Sequence, residues 1–282
     1  MGIQFENVDY QYKGHKNVYE AIKNINLKVS EKGEFIAVIG HTGSGKTTLV
    51  QHMNALLMPT RGKVRVFNQE LPPKKSDKIN HLRQKVGLVF QFPEYQLFEE
   101  TIIRDIMFGP KNFTKTADRA LELATKAAKT VGIDESLFEH SPFRISGGQM
   151  RRVAVAGILA MEPEILVLDE PTRGLDPKGR KDLMEMFYKI HKEEDKSIIL
   201  ITHDMDLVSE YAKRVIVLKD GEIVFDGKKE NLFTHPDFSS FHLDYPTPIK
   251  IIKHLEQVLN KKLELKYDFK SLLNYLKEVS YE

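Results

Sequence analysis

The sequence contains no cysteine among its 282 residues. This absence excludes disulfide bonds, a catalytic thiol and zinc held by thiolates, and it fits a reducing compartment. Long apolar runs are also missing, since no stretch approaches the roughly 18 residues that a membrane-spanning helix needs. The first residues, MGIQFENVDYQYKG, lack a basic segment followed by an apolar one. We therefore expect no secretory signal.

An excess of charge of either sign is lacking as well. The 42 Lys and Arg residues nearly balance the 40 Asp and Glu residues, and the net charge of +2 is too small to indicate nucleic-acid binding by itself. Hydrophobic residues make up 41% of the chain and charged residues 29%, as in globular domains with a packed core. The length fits one large α/β domain with an appendage.

The pattern of apolar segments predicts an α/β fold with a mainly parallel sheet. Strand-like runs alternate with helical segments, which is typical of βαβ units. The predicted strands of this core are Glu34–Ile39, Val86–Phe90, Ile165–Leu168, Ser197–Thr202 and Arg214–Leu218. A helix follows the first strand and extends through Leu57, and Asp220-Gly221 predicts a hairpin to a last strand, Glu222–Phe225.

Two further subdomains and an appendage are predicted around this core. Alternating runs at Ile3–Tyr12, Ile25–Val29 and Lys63–Phe67 predict an N-terminal antiparallel β subdomain. Periodic segments predict a helical insertion subdomain at about residues 93–161. Prolines follow His235, and two amphipathic helices come after them. We therefore predict a main domain at 1–234 and a small α-helical C-terminal extension at 235–282.

Residues 40–47 read GHTGSGKT and match the phosphate-loop pattern G-x-x-x-x-G-K-[ST]. Its glycines let backbone N–H groups surround phosphates, and the following helix adds its positive N-terminus. Lys46 is expected to reach the β- and γ-phosphates, and Thr47 to ligate Mg²⁺. A glycine loop that merely turns is the alternative, which the position between strand and helix disfavours. The predicted nucleotide-binding residues here are Gly40, His41, Thr42, Gly43, Ser44, Gly45, Lys46, Thr47 and Thr48.

Polar side chains follow three of the predicted strands, at the edge where ligands bind in open α/β sheets. Asp169 is predicted to hold Mg²⁺, and Glu170 to act as the general base toward water. His203 is predicted to contact the γ-phosphate, and Gln91 to contact both Mg²⁺ and the water. The alternatives are acids that cap a turn, a structural histidine and a solvated glutamine.

A second glycine motif, RISGGQ, precedes a helix and predicts another anion site through Ser146, Gly147, Gly148 and Gln149. One chain cannot easily bring this motif and the phosphate loop to the same γ-phosphate. We therefore expect two chains that face each other head to tail, each supplying Ser146 to the nucleotide of the other. A helix N-cap without a ligand is the alternative.

In this order, over about residues 3–227, the motifs resemble those of ATP-binding cassette (ABC) ATPases. The resemblance makes GHTGSGKT the Walker A motif, ILVLDE the Walker B motif and ISGGQ the signature. It makes Gln91 the Q-loop residue, Asp176 the D-loop residue, His203 the switch histidine and Tyr12 the aromatic residue that stacks on adenine. For Tyr12, an exposed aromatic on an edge strand is the alternative. The resemblance implies an ATPase that uses ATP and Mg²⁺.

The loop after Gln91 is predicted to form a groove for a coupling helix of a membrane subunit. Apolar and acidic side chains alternate there, which suits an amphipathic basic helix. A loop packed on its own helical lobe is equally compatible with these residue types. The predicted groove residues are Phe92, Pro93, Glu94, Tyr95, Leu97 and Phe98.

Three longer segments, GHTGSGKTTLVQHMNALL, FQFPEYQLFEETI and GLDPKGR, resemble the second of two ATPases in energy-coupling factor (ECF) importers. This resemblance implies uptake of vitamins or transition-metal ions through integral membrane partners. The implied partners are a paralogous ATPase in a heterodimer, a transmembrane coupling subunit and a substrate-binding membrane subunit. The chain would then lie at the cytoplasmic face of the cell membrane, and its C-terminal extension would assist dimerisation. Arg173, where a small residue is usual, would contact the opposing subunit or have no role.

Other classes of protein fit the sequence less well. A soluble ABC ATPase that acts on nucleic acid or ribosomes usually has tandem cassettes or coiled-coil insertions, whereas this chain has one cassette, no heptad run and little net charge. We therefore expect no nucleic-acid partner. A small-molecule kinase would not use ISGGQ. A scaffold without hydrolysis would need neither Glu170 nor His203.

Overall fold

A six-stranded sheet forms the centre of the computed structural model, which describes residues 2–14, 18–74 and 79–279. With strands numbered in chain order, its spatial order is β10 (Glu222–Lys228), β9 (Arg214–Lys219), β3 (Phe35–Ile39), β8 (Ser197–Ile201), β7 (Ile165–Asp169) and β6 (Val86–Val89). Neighbours from β9 to β6 run parallel, and β10 is antiparallel to β9. The predicted parallel core and its final hairpin are confirmed.

The central strands are continuous apolar runs because both faces of the sheet are covered. In β3, Phe35, Ala37 and Ile39 enter the core on one face, while Ile36 and Val38 enter the core on the other. All five residues are buried. Burial on both sides fixes the register of β3, since a shift by one residue would exchange the two sets.

A four-stranded antiparallel sheet covers one of these faces, as predicted. Its order is β2 (Val18–Val29), β1 (Ile3–Lys13), β4 (Arg61–Val66) and β5 (Gln69–Leu71). The sequence placed the start of β2 too late, at Ile25, and missed β5. Register shifts between β1 and β2, together with a left-handed Asn24, interrupt the two-residue alternation that marks a strand.

Helices occupy the connections between the strands. They are α1 (Lys46–Met53), α2 (Asn80–Lys85), α3 (Ile102–Lys111), α4 (Ala117–Thr130), α5 (Gly147–Leu159), α6 (Pro177–Glu194), α7 (Met205–Tyr211), α8 (Lys229–Phe233), α9 (Thr247–Leu259) and α10 (Phe269–Val279). Short 3-10 helices lie at Pro93–Gln96, Glu135–Leu137, Pro142–Arg144 and Phe238–Phe241. Helices α3, α4 and α5 pack together and form the helical insertion between β6 and β7. In the described ranges, every helix is too short or too polar to cross a membrane.

Helix α1 ends four residues earlier than the sequence predicted. Asn54 follows Met53, and Ala55 adopts a left-handed conformation with a φ of 58°. A left-handed residue terminates an α-helix because its carbonyl and amide no longer align with the helix axis.

The C-terminal segment packs on the main domain rather than standing apart from it. Phe238, Phe241 and Ile249 belong to the same core as the central sheet, and a separate small cluster forms only around Ile252 and Leu272. The predicted boundary at 235 therefore does not separate two cores. Residues 280–282 of the predicted extension lie outside the described residues.

Hydrogen bonds fix the C-terminal segment to α7. The carboxylate of Asp206 accepts from the backbone nitrogen of Thr247 at 2.5 Å and from its hydroxyl at 2.7 Å. The Ser209 hydroxyl donates to the carbonyl oxygen of Tyr267. Since α7 begins two residues after His203, the segment is attached directly to the edge of the sheet that carries the polar side chains.

Replacing Asp206 with alanine should lower the free energy of unfolding by about 1–3 kcal/mol, because it removes a charged acceptor from two hydrogen bonds. Urea unfolding followed by circular dichroism measures this change. The control is Thr234→Val, which removes an exposed hydrogen bond within the chain from Thr234 to Glu230. Equal losses in the two variants would contradict a specific attachment through Asp206.

Candidate active site

The phosphate loop fits tightly between two strands. A Cβ atom on Gly40 would lie 2.1 Å from the carbonyl oxygen of Leu218 in β9. A Cβ atom on Gly45 would lie 2.5 Å from the carbonyl oxygen of Ala21 in β2, and Gly45 has a left-handed φ of 100°. The backbone at both positions therefore requires glycine.

Lys46 begins α1 and folds back across the loop. Its Nζ atom donates to the carbonyl oxygens of Gly40 at 2.8 Å and His41 at 2.9 Å. Burial lowers the pKa of the Lys46 ammonium, and the nearby carboxylates of Asp169 and Glu170 oppose this shift. The loop thus holds a half-buried cation whose hydrogen bonds, among the described residues, go to backbone oxygens.

Oxygen ligands suited to a divalent cation meet beside this lysine. The Thr47 hydroxyl donates to Asp169 Oδ2 at 3.2 Å, at the end of β7. Burial raises the pKa of the Asp169 carboxyl, although the bond from Thr47 opposes this rise. A hydroxyl and a carboxylate are ligands that Mg²⁺ prefers, so the donor set fits that ion. Ser44 Oγ is buried in the loop without a hydrogen-bond partner among the described residues, which fits a phosphate oxygen as its partner.

Glu170 and His203 form a pair at the ends of β7 and β8. His203 Nδ1 lies 2.8 Å from Glu170 Oε1 and donates to this carboxylate. Glu170 has a left-handed φ of 49°, and its backbone nitrogen donates to the carbonyl oxygen of Ile201 at 3.0 Å. Such a backbone conformation is strained for a non-glycine residue and is common at active sites. The Glu170 side chain lines the cleft together with Lys46 and Thr47 of the phosphate loop.

Gln91 follows β6 on the same edge of the sheet and meets Arg173. The amide orientation that satisfies both groups turns the Gln91 oxygen to the guanidinium, which donates from Nη1 at 2.5 Å and from Nε at 3.0 Å. Both side chains line the cleft that also contains Lys46, Asp169 and Glu170. The structure therefore brings Gln91, Asp169 and Glu170 together in one cleft, and His203 adjoins it through its contact with Glu170.

A second cavity adjoins this cleft on the side of His203. Lys46, Glu170 and Arg173 line both cavities, and residues of the C-terminal segment also line the second. These residues are His242, Leu243 and Asp244. That the C-terminal segment reaches the site could not be predicted from the sequence, because the contact depends on tertiary packing.

Two tyrosines lie at the rim of the cleft, and only one of them was predicted. Tyr12 and Tyr19 are directly paired across β1 and β2 and thus share a face of the sheet. Tyr12 forms a hydrogen bond with Thr48 at 3.2 Å. Tyr19 donates to the carbonyl oxygen of Gly43 at 3.2 Å and lines the cleft. Tyr19 was missed because its part of β2 was not recognised as a strand.

The signature segment lies away from the phosphate loop of its own chain. Ser146 and Gln149 form a capping box at the start of α5, in which Gln149 N donates to Ser146 Oγ and Ser146 N donates to Gln149 Oε1. A Cβ atom on Gly147 or Gly148 would have no neighbouring atom of the described chain within 4 Å. None of these four is among the described residues that line the two cavities. Asp176 is exposed and caps α6 through the backbone nitrogen of Gly179.

The loop after Gln91 is only partly available to a partner. Pro93 and Leu97 are buried, and Phe92 is half-buried. Tyr95 is 83% exposed and Phe98 is 57% exposed. Of the predicted groove residues, Tyr95 and Phe98 are therefore the two whose side chains are exposed to a partner.

Glu94 also differs from its predicted place in that groove. Its carboxylate forms a two-pronged ion pair with Arg151 of α5, at 2.9 Å and 2.7 Å. Arg151 is buried, and an unpaired buried guanidinium would be costly, so the carboxylate turns inward. Arg151 further donates to the carbonyl oxygens of Pro171 and Arg173, and it thereby joins the Q-loop to the segment after Glu170.

Comparisons with known proteins agree with this fold and cleft. Residues 22–173 match the family described as ABC transporter. The energy-coupling factor transporter ATP-binding protein EcfA2 of Enterococcus faecalis is 54% identical over 235 residues, which cover 83% of this chain and 81% of the relative. EcfA2 of Bacillus licheniformis is 49% identical over 263 residues, which cover 92% and 90% of the two chains.

Solved structures give the same result. The structure of cbiO1 from Clostridium perfringens, described as part of the ABC transporter complex cbiONQ, has a TM-score of 0.73 and 33% identity, and the match covers 92% of this chain and 95% of that one. A dimeric ATP-binding cassette in a post-hydrolysis state with ADP and Pi has a TM-score of 0.71 and 31% identity, with 80% and 98% covered.

The fold and the cleft define an ABC ATPase. The chain belongs to the ABC transporter family and, within it, to the energy-coupling factor transporter ATP-binding proteins. The predicted family, fold class and ATPase activity are confirmed.

Asp169→Asn should stabilise the nucleotide-free protein at neutral pH. Because burial raises the pKa of Asp169, the folded state binds this proton more tightly than the unfolded state, and ionisation above the folded-state pKa costs stability. The variant removes that cost and keeps an oxygen to accept from Thr47. Thermal unfolding between pH 4 and 8 should therefore show a gain in Tm that shrinks as the pH falls through the folded-state pKa.

The control for this effect is Asp134→Asn. Hydrogen bonds from Ser136 lower the pKa of the exposed Asp134 carboxyl, so the substitution should not raise Tm at any pH. A lower Tm of Asp169→Asn at pH 7 would contradict the burial cost assigned to Asp169.

Proposed function

We propose that this chain binds MgATP in the cleft of the phosphate loop and hydrolyses it between two ATPase subunits, to drive uptake through integral membrane partners. The observation that carries the proposal is the Glu170–His203 pair, 2.8 Å apart, at the edge of the cleft that Lys46 and Asp169 line. Glu170 supplies a base and His203 a ring that carries a proton. Lys46 supplies a cation and Asp169 an anionic metal ligand at the same place.

The phosphates would be held by the loop from Gly40 to Thr48. Lys46 donates to two backbone carbonyl oxygens, and phosphate oxygens would replace them with stronger charge-assisted bonds. Thr47, Asp169 and Gln91 would hold Mg²⁺. When bound, this ion neutralises charge on the phosphates during transfer. Tyr12, with Tyr19 beside it, would stack on the adenine base.

Glu170 is the proposed general base. Its carboxylate takes a proton from a water molecule whose oxygen forms a bond to the γ-phosphorus, while the bond from that phosphorus to ADP breaks. His203 holds Glu170 in orientation through Nδ1 and leaves its other ring nitrogen for the γ-phosphate. The side chain of His203 is 73% exposed, so it is accessible to a ligand that enters from solvent.

A second subunit is proposed to complete the site. Ser146, Gly147, Gly148 and Gln149 present a helix N-terminus away from their own cleft, where they can serve the nucleotide of a facing subunit. Asp176 would lie at the same boundary. The similar cassette with ADP and Pi is described as dimeric. The facing subunit is proposed to be a paralogous ATPase, so that the pair is a heterodimer.

The membrane partners are proposed to dock at the aromatic surface of Tyr95 and Phe98. Phe98 packs edge-on against Phe108 of α3 at 4.9 Å, and Phe108 is itself half exposed. Exposed aromatic side chains beside Glu99 and Glu100 suit an amphipathic basic helix. Transmembrane coupling and substrate-binding subunits would hold the chain at the cytoplasmic face of the membrane, and vitamins or transition-metal ions would be the cargo.

The proposed domain division is 1–234 with a helical subdomain at about 93–161, followed by an extension at 235–282 that assists dimerisation. Exposed apolar side chains on α9 and α10 support this role, since they offer area to a second subunit. They are Val258, Leu259, Phe269 and Leu273.

Glu170→Gln should retain ATP binding and lose hydrolysis by about 10²–10⁴-fold, because the amide cannot accept the proton from water. Phosphate release by the complex purified with its membrane subunits measures hydrolysis, and filter binding of labelled ATP measures affinity. Glu222→Gln on exposed β10 is the control and should leave both unchanged. Turnover at the wild-type rate in Glu170→Gln would remove Glu170 from the role of base.

The double variant Tyr95→Ala, Phe98→Ala should weaken assembly with the membrane subunits by about 10-fold or more, since exposed aromatic anchors dominate interface affinity. Co-purification at increasing concentrations of detergent and salt measures assembly. The ATPase rate of the two ATPase subunits without their membrane partners should remain the same. Val224→Ala, an exposed apolar residue on β10, is the control. Unchanged assembly would exclude this surface as the docking site.

A further inference from the structure

Arg173 holds the one side-chain oxygen of Gln91. With the Gln91 amide oriented so that both groups are satisfied, its oxygen accepts from the guanidinium Nη1 at 2.5 Å and from Nε at 3.0 Å. An amide oxygen has two lone pairs, and these two donors occupy both of them. While this contact persists, the Gln91 oxygen cannot ligate a metal ion.

The backbone that carries Arg173 is fixed on both sides. Its nitrogen donates to the carbonyl oxygen of Glu170 at 3.1 Å, and its own carbonyl oxygen accepts from Arg151 Nη1 at 2.8 Å. Arg151 is in turn buried in its ion pair with Glu94. The Arg173 side chain therefore starts from a rigid turn, and its guanidinium reaches Gln91 without a prior rearrangement of the chain.

The contact also lies within the cleft. Gln91 and Arg173 line it together with Thr47 and Asp169, which carry the other oxygen ligands. A positive guanidinium next to these ligands opposes a divalent cation by charge as well as by occupying Gln91.

We propose that Arg173 is a positioning residue that keeps Gln91 turned away from the metal ligands until Mg²⁺ with nucleotide displaces it. Arg173 thus sets the magnesium concentration at which the site fills. This inference rests on the proposed role of Gln91 as a metal ligand. The sequence predicts that Arg173 either contacts the opposing subunit or has no role. In this proposal Arg173 instead has a role within its own chain.

The test measures binding of a non-hydrolysable ATP analogue to the assembled complex as Mg²⁺ is titrated. Arg173→Ala should lower the half-saturating Mg²⁺ concentration by about tenfold, since charge-assisted hydrogen bonds no longer compete for Gln91. Binding of the analogue in EDTA should stay unchanged. Arg173→Lys should give a smaller shift, because a single ammonium does not reproduce the two-pronged contact.

A second background shows whether Arg173 acts through Gln91. In Gln91→Ala the substitution Arg173→Ala should cause a clearly smaller shift, because the competing oxygen is gone and only the repulsion between guanidinium and cation is removed. Arg61→Ala, which removes an arginine with an 83% exposed side chain at the start of β4, is the matched control and should leave the titration unchanged.

Several results would overturn the proposal. An unchanged or raised half-saturating concentration in Arg173→Ala would do so, and the raised value would make Arg173 a phosphate ligand. An equal shift with and without Gln91 would show that Arg173 acts by charge alone. The wild-type protein and Lys46→Ala are also compared in EDTA and in Mg²⁺. If both proteins bind the analogue equally weakly under both conditions, the proposed nucleotide site is wrong, and this inference is wrong with it.

Discussion

Opposite charges held together under partial burial are the constraint on which the rest of this structure depends. Burial disfavours the charged forms of both Lys46 and Asp169, since it lowers the pKa of the first and raises that of the second. The two groups offset part of this cost for each other. Such an arrangement needs rigid supports, and the buried strands β3 and β7 provide them.

The same edge of the sheet carries a network that ties the motifs to one another. Arg151 of α5 contacts Glu94 in the Q-loop and the backbone after Glu170, so the helix that starts at the signature, the Q-loop and the Walker B segment share one buried cation. If α5 moves, the Q-loop and the segment after Glu170 must move with it, or their bonds to the Arg151 guanidinium must break. A physical route for coupling between the helical insertion and the cleft therefore exists in side-chain contacts.

Much of the fold and of the candidate site could be predicted from the sequence because the signals are local. Apolar runs identified the central strands, and the glycines of the phosphate loop marked a backbone that only glycine can adopt. Tyr19 could not be found in this way, since register shifts break the alternation of β2. The inward turn of Glu94 was equally hidden, because its partner Arg151 lies 57 residues further along the chain.

The C-terminal segment illustrates how far a contact can lie from its motif. Its residues at 242–244 form a wall of the cavity beside His203, while Thr247 binds the helix that follows that histidine. The C-terminal segment is thus part of the wall beside the candidate active site as well as an appendage. A substitution in this segment that moves residues 242–244 would change the shape of that cavity, so the segment and the cleft constrain each other's sequence.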